Sequence, residues 1–102
     1  MTRVVNFRKH KCDVKITRNP KKPGIIPDPP DFGWAGNPFP VDKYGREECL
    51  RLYKLYFDDR IKNDPIFKAA ILELKDKTLG CFCDTDVQRC HGHTICEWID
   101  SQ

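Results

Sequence analysis

The sequence predicts a small single domain of the α/β class: an open sheet of about three to four strands, at least partly parallel, packed against about three helices. Short segments typical of strands lie near the N-terminus and again at residues 77–83, and helical patterns separate them. A strand, helix, strand order needs a helical crossover, which gives at least one parallel pairing. With 102 residues, the chain has the size of one domain.

Two short strands are predicted first. Residues 2–7 are β-branched and aromatic, and residues 13–17 alternate apolar and polar side chains as a half-buried strand does. Residues 77–83 form an apolar run bounded by polar residues, and we interpret this run as a buried strand.

A long ordered loop is predicted for residues 19–40. This stretch holds seven of the eight prolines and three of the six glycines, which excludes regular structure for most of its length. Phe32, Trp34 and Phe39 are too apolar for a free linker. We therefore expect part of the loop to pack on the core.

Three helices are predicted from apolar spacings of three and four. The first runs over residues 42–60. The second begins after a cap at Asn63 or Asp64, with Pro65 in its first turn, and ends near residue 75. The third covers residues 91–101 and buries Ile95, Trp98 and Ile99. The predicted core face of the second helix is Ile66, Ala69, Ala70, Leu72 and Leu74.

The charge of the chain is concentrated at one end. Residues 1–22 carry eight Lys or Arg and one acid, whereas residues 23–102 carry ten Lys or Arg and fourteen acids. Two interpretations are open for the basic arm over residues 1–11, which includes His10: it binds nucleic acid or another polyanion, or it is a solvated, partly flexible segment. No apolar run reaches the roughly 20 residues of a membrane span, and the first residues lack the apolar segment of a signal peptide, so we expect no membrane partner and a cytoplasmic location.

Four of the six cysteines lie between residues 81 and 96. Such clustering favours reduced thiols or metal ligands over a disulfide scaffold. We assign Cys12 and Cys49 to packing and Cys96 to the core, while His93 is expected to be an exposed residue of the first helical turn.

The remaining Cys and His residues predict a site where a strand leads into a helix. Residues two apart on a strand share a face, so Cys81 and Cys83 are expected to project together. Cys90 and His91 fall at the N-terminus of the last helix, where the helix dipole favours a thiolate. Gly92 would let a ligand come close to the backbone.

Three interpretations of this site remain open. Zinc is a candidate cofactor, because it accepts thiolate and imidazole ligands such as those of Cys81, Cys83, Cys90 and His91. The spacing of these residues is not that of common zinc fingers. An anion or nucleotide pocket is the second interpretation, with Cys90 or Cys83 as a nucleophile or His91 as an acid or base. Small buried cysteines that pack as hydrophobic residues are the third.

Several motifs resemble one known family over nearly the whole chain. They are Val5-Asn6, Ile16-Thr-Arg18, Gly36-Asn-Pro-Phe39, a tyrosine-bearing helix, Leu79-Gly-Cys-Phe-Cys83 and Cys90-His-Gly92. In this order they resemble the family catalogued as domain of unknown function 4326, found in bacteria, phages and large DNA viruses. The closing motif is also similar to domain of unknown function 488, which does not keep the Cys-x-Cys pair. The resemblance implies the site residues Arg18, Asn37, Cys81, Cys83, Cys90 and His91.

The sequence departs from the family pattern at Thr17, where glycine is usual, at the longer spacer 84–89 and at His93, where an acid is usual. We predict a pocket between the strand end at Arg18, the turn at residues 36–39 and the junction at residues 81–92. Its ligand would be small, anionic and nucleotide-like, bound by Arg18, Asn37, Cys81 and Gly92. The alternative is a non-catalytic, zinc-stabilised module that binds nucleic acid or protein.

Overall fold

The computed structural model describes residues 1–18, 26–39, 41–82 and 90–102. Within these residues the elements follow in chain order as β1 (Arg3–Asn6), β2 (Val14–Lys15), α1 (Val41–Tyr44), α2 (Arg46–Asn63), α3 (Pro65–Leu72), β3 (Thr78–Cys81) and α4 (His91–Asp100). The predicted α/β class is confirmed. The first predicted helix is divided in two at Gly45, whose φ of 79° is incompatible with a continuous helix.

The sheet has the order β1-β3-β2, and both pairings are parallel. Val4 and Val14 both align with Leu79, and Val5 and Lys15 both align with Gly80. The predicted parallel pairing is therefore confirmed. β1 lies inside the basic segment 1–11, so four residues of that segment belong to the sheet.

The register divides the sheet into two faces. Leu79 is fully buried, and Val4 and Val14 pack beside it against the core. α4 lies on this face, because a Cβ on Gly92 would be 2.6 Å from Val4 Cγ2. On the opposite face the nearest atoms above Gly80 belong to Cys12 and Phe7 rather than to a helix.

The core forms where α2, α3 and α4 meet the first face of the sheet. Its largest fully buried side chains are Tyr53, Phe57, Phe67, Ile16, Ile71, Leu79, Ile95 and Ile99. Ile95 and Ile99 are buried as predicted, and Trp98 is half-buried with its ring 6.0 Å from that of Phe57. No helix in the described part of the chain is long and apolar enough to cross a membrane.

The predicted face of α3 is wrong. The helix begins as expected, because the Asp64 side chain accepts a hydrogen bond from Phe67 N at 3.1 Å and Pro65 follows in the first turn. Its buried residues, however, are Phe67 and Ile71, while Ile66 is 67% exposed. Ala69 and Leu72 are exposed and Ala70 is half-buried, so of the predicted face only Leu74 is buried.

The described part of the Pro-rich loop packs on the helices. The Trp34 ring lies edge-on to that of Phe67 at 5.9 Å, and Phe39 packs on Tyr56. Part of the loop therefore packs on the core as expected, whereas Phe32 is 52% exposed. A groove of about 600 Å³ separates the loop from α3; its lining is Val14, Pro29, Pro30, Trp34, Pro65, Ile66, Ala69, Ala70, Glu73, Leu74 and Lys77, none of which is a predicted site residue.

Candidate functional site

Two thiols meet where β3 ends and α4 begins. Cys81 is the last residue of β3, Cys90 is the N-cap of α4, and their Sγ atoms are 3.4 Å apart. Each residue is 1% exposed. Cys83 lies outside the described residues, so its position beside Cys81 stays a prediction.

His91 is held by the end of β2. Its Nε2 is 2.9 Å from the Ile16 carbonyl oxygen, and the residue is 9% exposed. Because a carbonyl oxygen only accepts hydrogen bonds, Nε2 must carry a proton. In the neutral ring Nδ1 is then the acceptor, which is the form needed in a base or a metal ligand.

Tyr53 of α2 completes the described site from the core side. Its ring lies edge-on to that of His91, with centroids 5.1 Å apart. The residue is fully buried, and its hydroxyl has no hydrogen-bond partner in the described chain. Burial raises the pKa of Tyr53 well above its usual value, and the neighbouring Tyr56 and Cys90 raise it further. The hydroxyl therefore stays protonated next to the thiol of Cys90.

Arg18, which follows β2, lies in contact with the turn at residues 36–39. A Cβ on Gly36 would lie 2.9 Å from Arg18 Cγ and 3.0 Å from the Arg18 backbone nitrogen. Glycine is thus required for the turn to approach this closely. Arg18 is half-buried, two residues beyond the Ile16 carbonyl that binds His91.

The side chain of Asn37 is engaged within that turn. Its Oδ1 accepts a hydrogen bond from Phe39 N at 2.9 Å, and its Nδ2 donates to Cys49 Sγ at 3.0 Å. Cys49 Sγ in turn donates to the Phe39 carbonyl oxygen at 3.0 Å. Cys49 is buried as predicted, but it also fixes the turn, which spacing along the sequence did not indicate. Ligand binding by Asn37 stays a prediction.

Two residues at the start of α4 make contacts that the sequence did not predict. The space next to the Gly92 Cα is taken by Val4 and Ile16, so glycine is needed there for packing on the sheet. His93 is half-buried, and its Nδ1 accepts a hydrogen bond from Cys90 N at 3.0 Å. The prediction of an exposed His93 is therefore wrong. Its place three residues after the cap, where a capping-box side chain bonds back, was the available signal.

Cys96 belongs to the core, as predicted. It is 9% exposed, and burial raises the pKa of its thiol to about 12. A thiol with this pKa is neutral at physiological pH and is therefore a poor nucleophile.

The structure brings together Cys81, Cys90, His91 and the unpredicted Tyr53, while Arg18, beyond the end of β2, contacts Gly36 of the loop. In residues 1–18, 26–39, 41–82 and 90–102, no three His, Cys, Asp or Glu side chains converge as a metal site. The zinc set predicted from the sequence includes Cys83, so the structure leaves that set untested.

Comparison with known proteins gives one family and two relatives. A family model described as "Domain of unknown function (DUF4326)" matches residues 2–101. "Uncharacterized protein R718" of Acanthamoeba polyphaga mimivirus is 36% identical over 89 residues, covering 79% of this chain and 62% of that protein. "Uncharacterized 12.4 kDa protein in nrdA-td intergenic region" of Enterobacteria phage T4 is 32% identical over 100 residues, covering 98% of this chain and 79% of that protein. No solved structure matches the chain.

Proposed function

Since the chain belongs to the DUF4326 family, we propose that the junction of β3 and α4 binds a small anionic ligand of nucleotide type. The motifs that this chain shares with the family imply Arg18, Cys81, Cys90 and His91 as site residues. The N-terminus of a helix attracts phosphate through its unpaired N–H groups and its dipole. Arg18 adds a guanidinium that suits phosphate or carboxylate. In parallel sheets this carboxyl edge is the usual place for a ligand.

The buried hydroxyl of Tyr53 carries this proposal. A buried polar group without a partner costs about 1–3 kcal/mol, and such groups are rare in folded proteins. A phenylalanine would pack in the same place without that cost. A ligand oxygen that accepts a hydrogen bond from Tyr53 would explain why a tyrosine is present.

Catalysis in this pocket is a further part of the proposal. His91 Nδ1 supplies an acceptor whose orientation is fixed by the Nε2 contact with Ile16. Cys90 or Cys83 would then act as the nucleophile and His91 as the acid or base.

We expect Tyr53→Phe to separate stability from binding. The free variant should be at least as stable as the wild type, because a buried hydroxyl that has no partner in the described residues is removed. Its affinity for the ligand should fall about 10- to 100-fold, the value of one hydrogen bond to a charged group. Calorimetric titration with purine and pyrimidine nucleoside 5′-monophosphates and with inorganic phosphate would measure this.

Tyr44→Phe is the matched control for this experiment, because Tyr44 is a half-buried tyrosine of α1 that packs on Phe39. Its affinity should equal that of the wild type. Equal affinities of Tyr53→Phe and the wild type, or a wild type that binds none of these compounds, would contradict the proposal.

The contact between the thiols of Cys81 and Cys90 also favours the zinc alternative. Two thiolates on tetrahedral zinc lie about 3.8 Å apart, given Zn–S bonds of about 2.3 Å, and the observed Sγ separation is 3.4 Å. Zinc held by Cys81, Cys83, Cys90 and His91 would stabilise a module that binds nucleic acid or protein.

Elemental analysis of protein purified without added metal distinguishes the two functions. The pocket proposal expects a metal-free protein whose melting temperature is unchanged by a chelator. One zinc per chain, lost together with the fold on chelation, would replace the pocket by the zinc module.

A further inference from the structure

The face of the sheet opposite to α4 carries its own set of side chains. Alternate residues of the parallel strands point to this face: Arg3 and Val5 of β1 align with Thr78 and Gly80 of β3, and Lys15 of β2 aligns with Gly80. The Arg3 Nε donates to Thr78 Oγ1 at 3.3 Å across it. Parallel sheets are normally covered on both faces. A face without a helix in the described chain is therefore a candidate for a binding partner.

Aromatic and basic side chains lie together where these strands end. The rings of Phe7 and Phe82 are 4.8 Å apart at an interplanar angle of 60°. The Arg8 guanidinium carbon is 5.1 Å from the centroid of Phe82, and Lys15 Nζ is 4.8 Å from that of Phe7. Phe82 is nevertheless 53% exposed. We call these four residues the aromatic-basic surface.

Gly80 allows this arrangement. A Cβ at this position would lie 3.0 Å from the Phe7 Cβ and 2.5 Å from Cys12 Sγ. Glycine in the central strand therefore lets Phe7 fold back over the sheet and meet Phe82.

Among the described residues of this face, basic side chains predominate. Arg3, Arg8 and Lys15 are exposed. The nearby acid Asp13 accepts a hydrogen bond from Thr78 N at 2.8 Å, so its carboxylate is engaged at the start of β3. Arg3 and Lys15 thus lie on the sheet, while Arg8 and Lys15 lie beside the rings of Phe82 and Phe7.

We propose that the aromatic-basic surface binds single-stranded nucleic acid. Proteins that bind single strands combine a positive surface for phosphates with aromatic rings on which bases stack. Here Phe82 stacks on an unpaired base, while Arg8 and Lys15 bind the flanking phosphates. A duplex has no free base face to offer, so single strands are preferred. This surface lies across the sheet from Cys90, and the inference does not depend on the pocket.

The proposal is tested by fluorescence anisotropy. A labelled oligothymidylate of about 12 nucleotides, a length that such binding surfaces cover, is titrated with the full chain at several salt concentrations. We expect binding that weakens with salt, and an affinity about tenfold lower for Phe82→Ala. In Lys15→Gln the fall of log K with log salt should be less steep, with a slope smaller in magnitude by about 0.7. Phe82→Tyr should keep the wild-type affinity, because its ring still stacks.

Matched controls come from the other side of the molecule. Phe32 is 52% exposed, almost the same as Phe82, and Phe32→Ala should leave binding unchanged. Lys68→Gln, on an exposed position of α3, should leave the salt slope unchanged. Melting temperatures of all variants show that each is folded.

Three results would overturn the proposal: no binding at low salt, equal losses for Phe82→Ala and Phe32→Ala, or equal affinity for a duplex of the same length. Binding of polyglutamate as tight as that of oligothymidylate, and unchanged in Phe82→Ala, would also overturn it. That result would assign the surface to an acidic protein partner instead.

Discussion

Replacing Phe67 by alanine is expected to destabilise the protein by about 3–5 kcal/mol, a large part of the stability of a domain of this size. Phe67 is fully buried, its ring lies edge-on to those of Trp34 and Phe57, and the guanidinium carbon of Arg60 is 4.2 Å from its centroid. Truncation would therefore open a cavity where α2, α3 and the Pro-rich loop meet. Urea denaturation followed by circular dichroism would measure the loss.

Ile66→Ala is the matched control, one residue away on the same helix. Ile66 is 67% exposed, so its truncation should change stability by no more than about 0.5 kcal/mol. Equal losses for the two variants would contradict an orientation of α3 that buries Phe67 and exposes Ile66.

The same pair of residues shows what the sequence could not predict about the fold. The existence of α3 and its start at Asp64 and Pro65 follow from local capping chemistry. Its buried face does not, because apolar residues lie almost all around this helix, from Ile66 to Leu72. Which side is buried is decided by Trp34 and Phe57, which are distant in sequence. All residues of the predicted stripe except Leu72 instead line the groove beside the loop.

The candidate site divides in a similar way. The meeting of Cys81 with Cys90 was predictable, because the carboxyl ends of parallel strands and the start of the next helix share one edge of a sheet. Tyr53 and the Ile16 carbonyl were not. Tyr53 has the spacing of an ordinary core residue, and a backbone carbonyl leaves no mark in the sequence. Both become visible only when α2 and β2 are placed beside α4.

Gly92→Ala is expected to destabilise the protein by about 1–3 kcal/mol. In an exposed helix this change would stabilise by about 1 kcal/mol, since alanine is the better helix former. Here the new Cβ would lie 2.6 Å from Val4 Cγ2 and 2.8 Å from Ile16 Cδ1. α4 would have to move away from the sheet, and Cys90 and His91 would move with it. Thermal denaturation and the nucleotide titration should therefore both show a loss.

Gly45→Ala provides the contrast. Gly45 has a φ of 79°, and a Cβ added there would meet no atom within 4 Å in the described chain, so alanine at this position is strained without a clash. The change should cost about 1 kcal/mol. It should leave ligand affinity unchanged, because Gly45 lies between α1 and α2.

A double variant distinguishes a clash at Gly92 from a general weakening of α4. Val4→Ala alone removes packing and should destabilise, but combined with Gly92→Ala it removes the atom that the new Cβ would meet most closely. The double variant should then be more stable than the sum of the single losses predicts, with a coupling of about 0.5–3 kcal/mol. Strict additivity would contradict the contact between Gly92 and Val4. Because that contact fixes the helix start beside Ile16, recovery of stability should be accompanied by partial recovery of nucleotide binding.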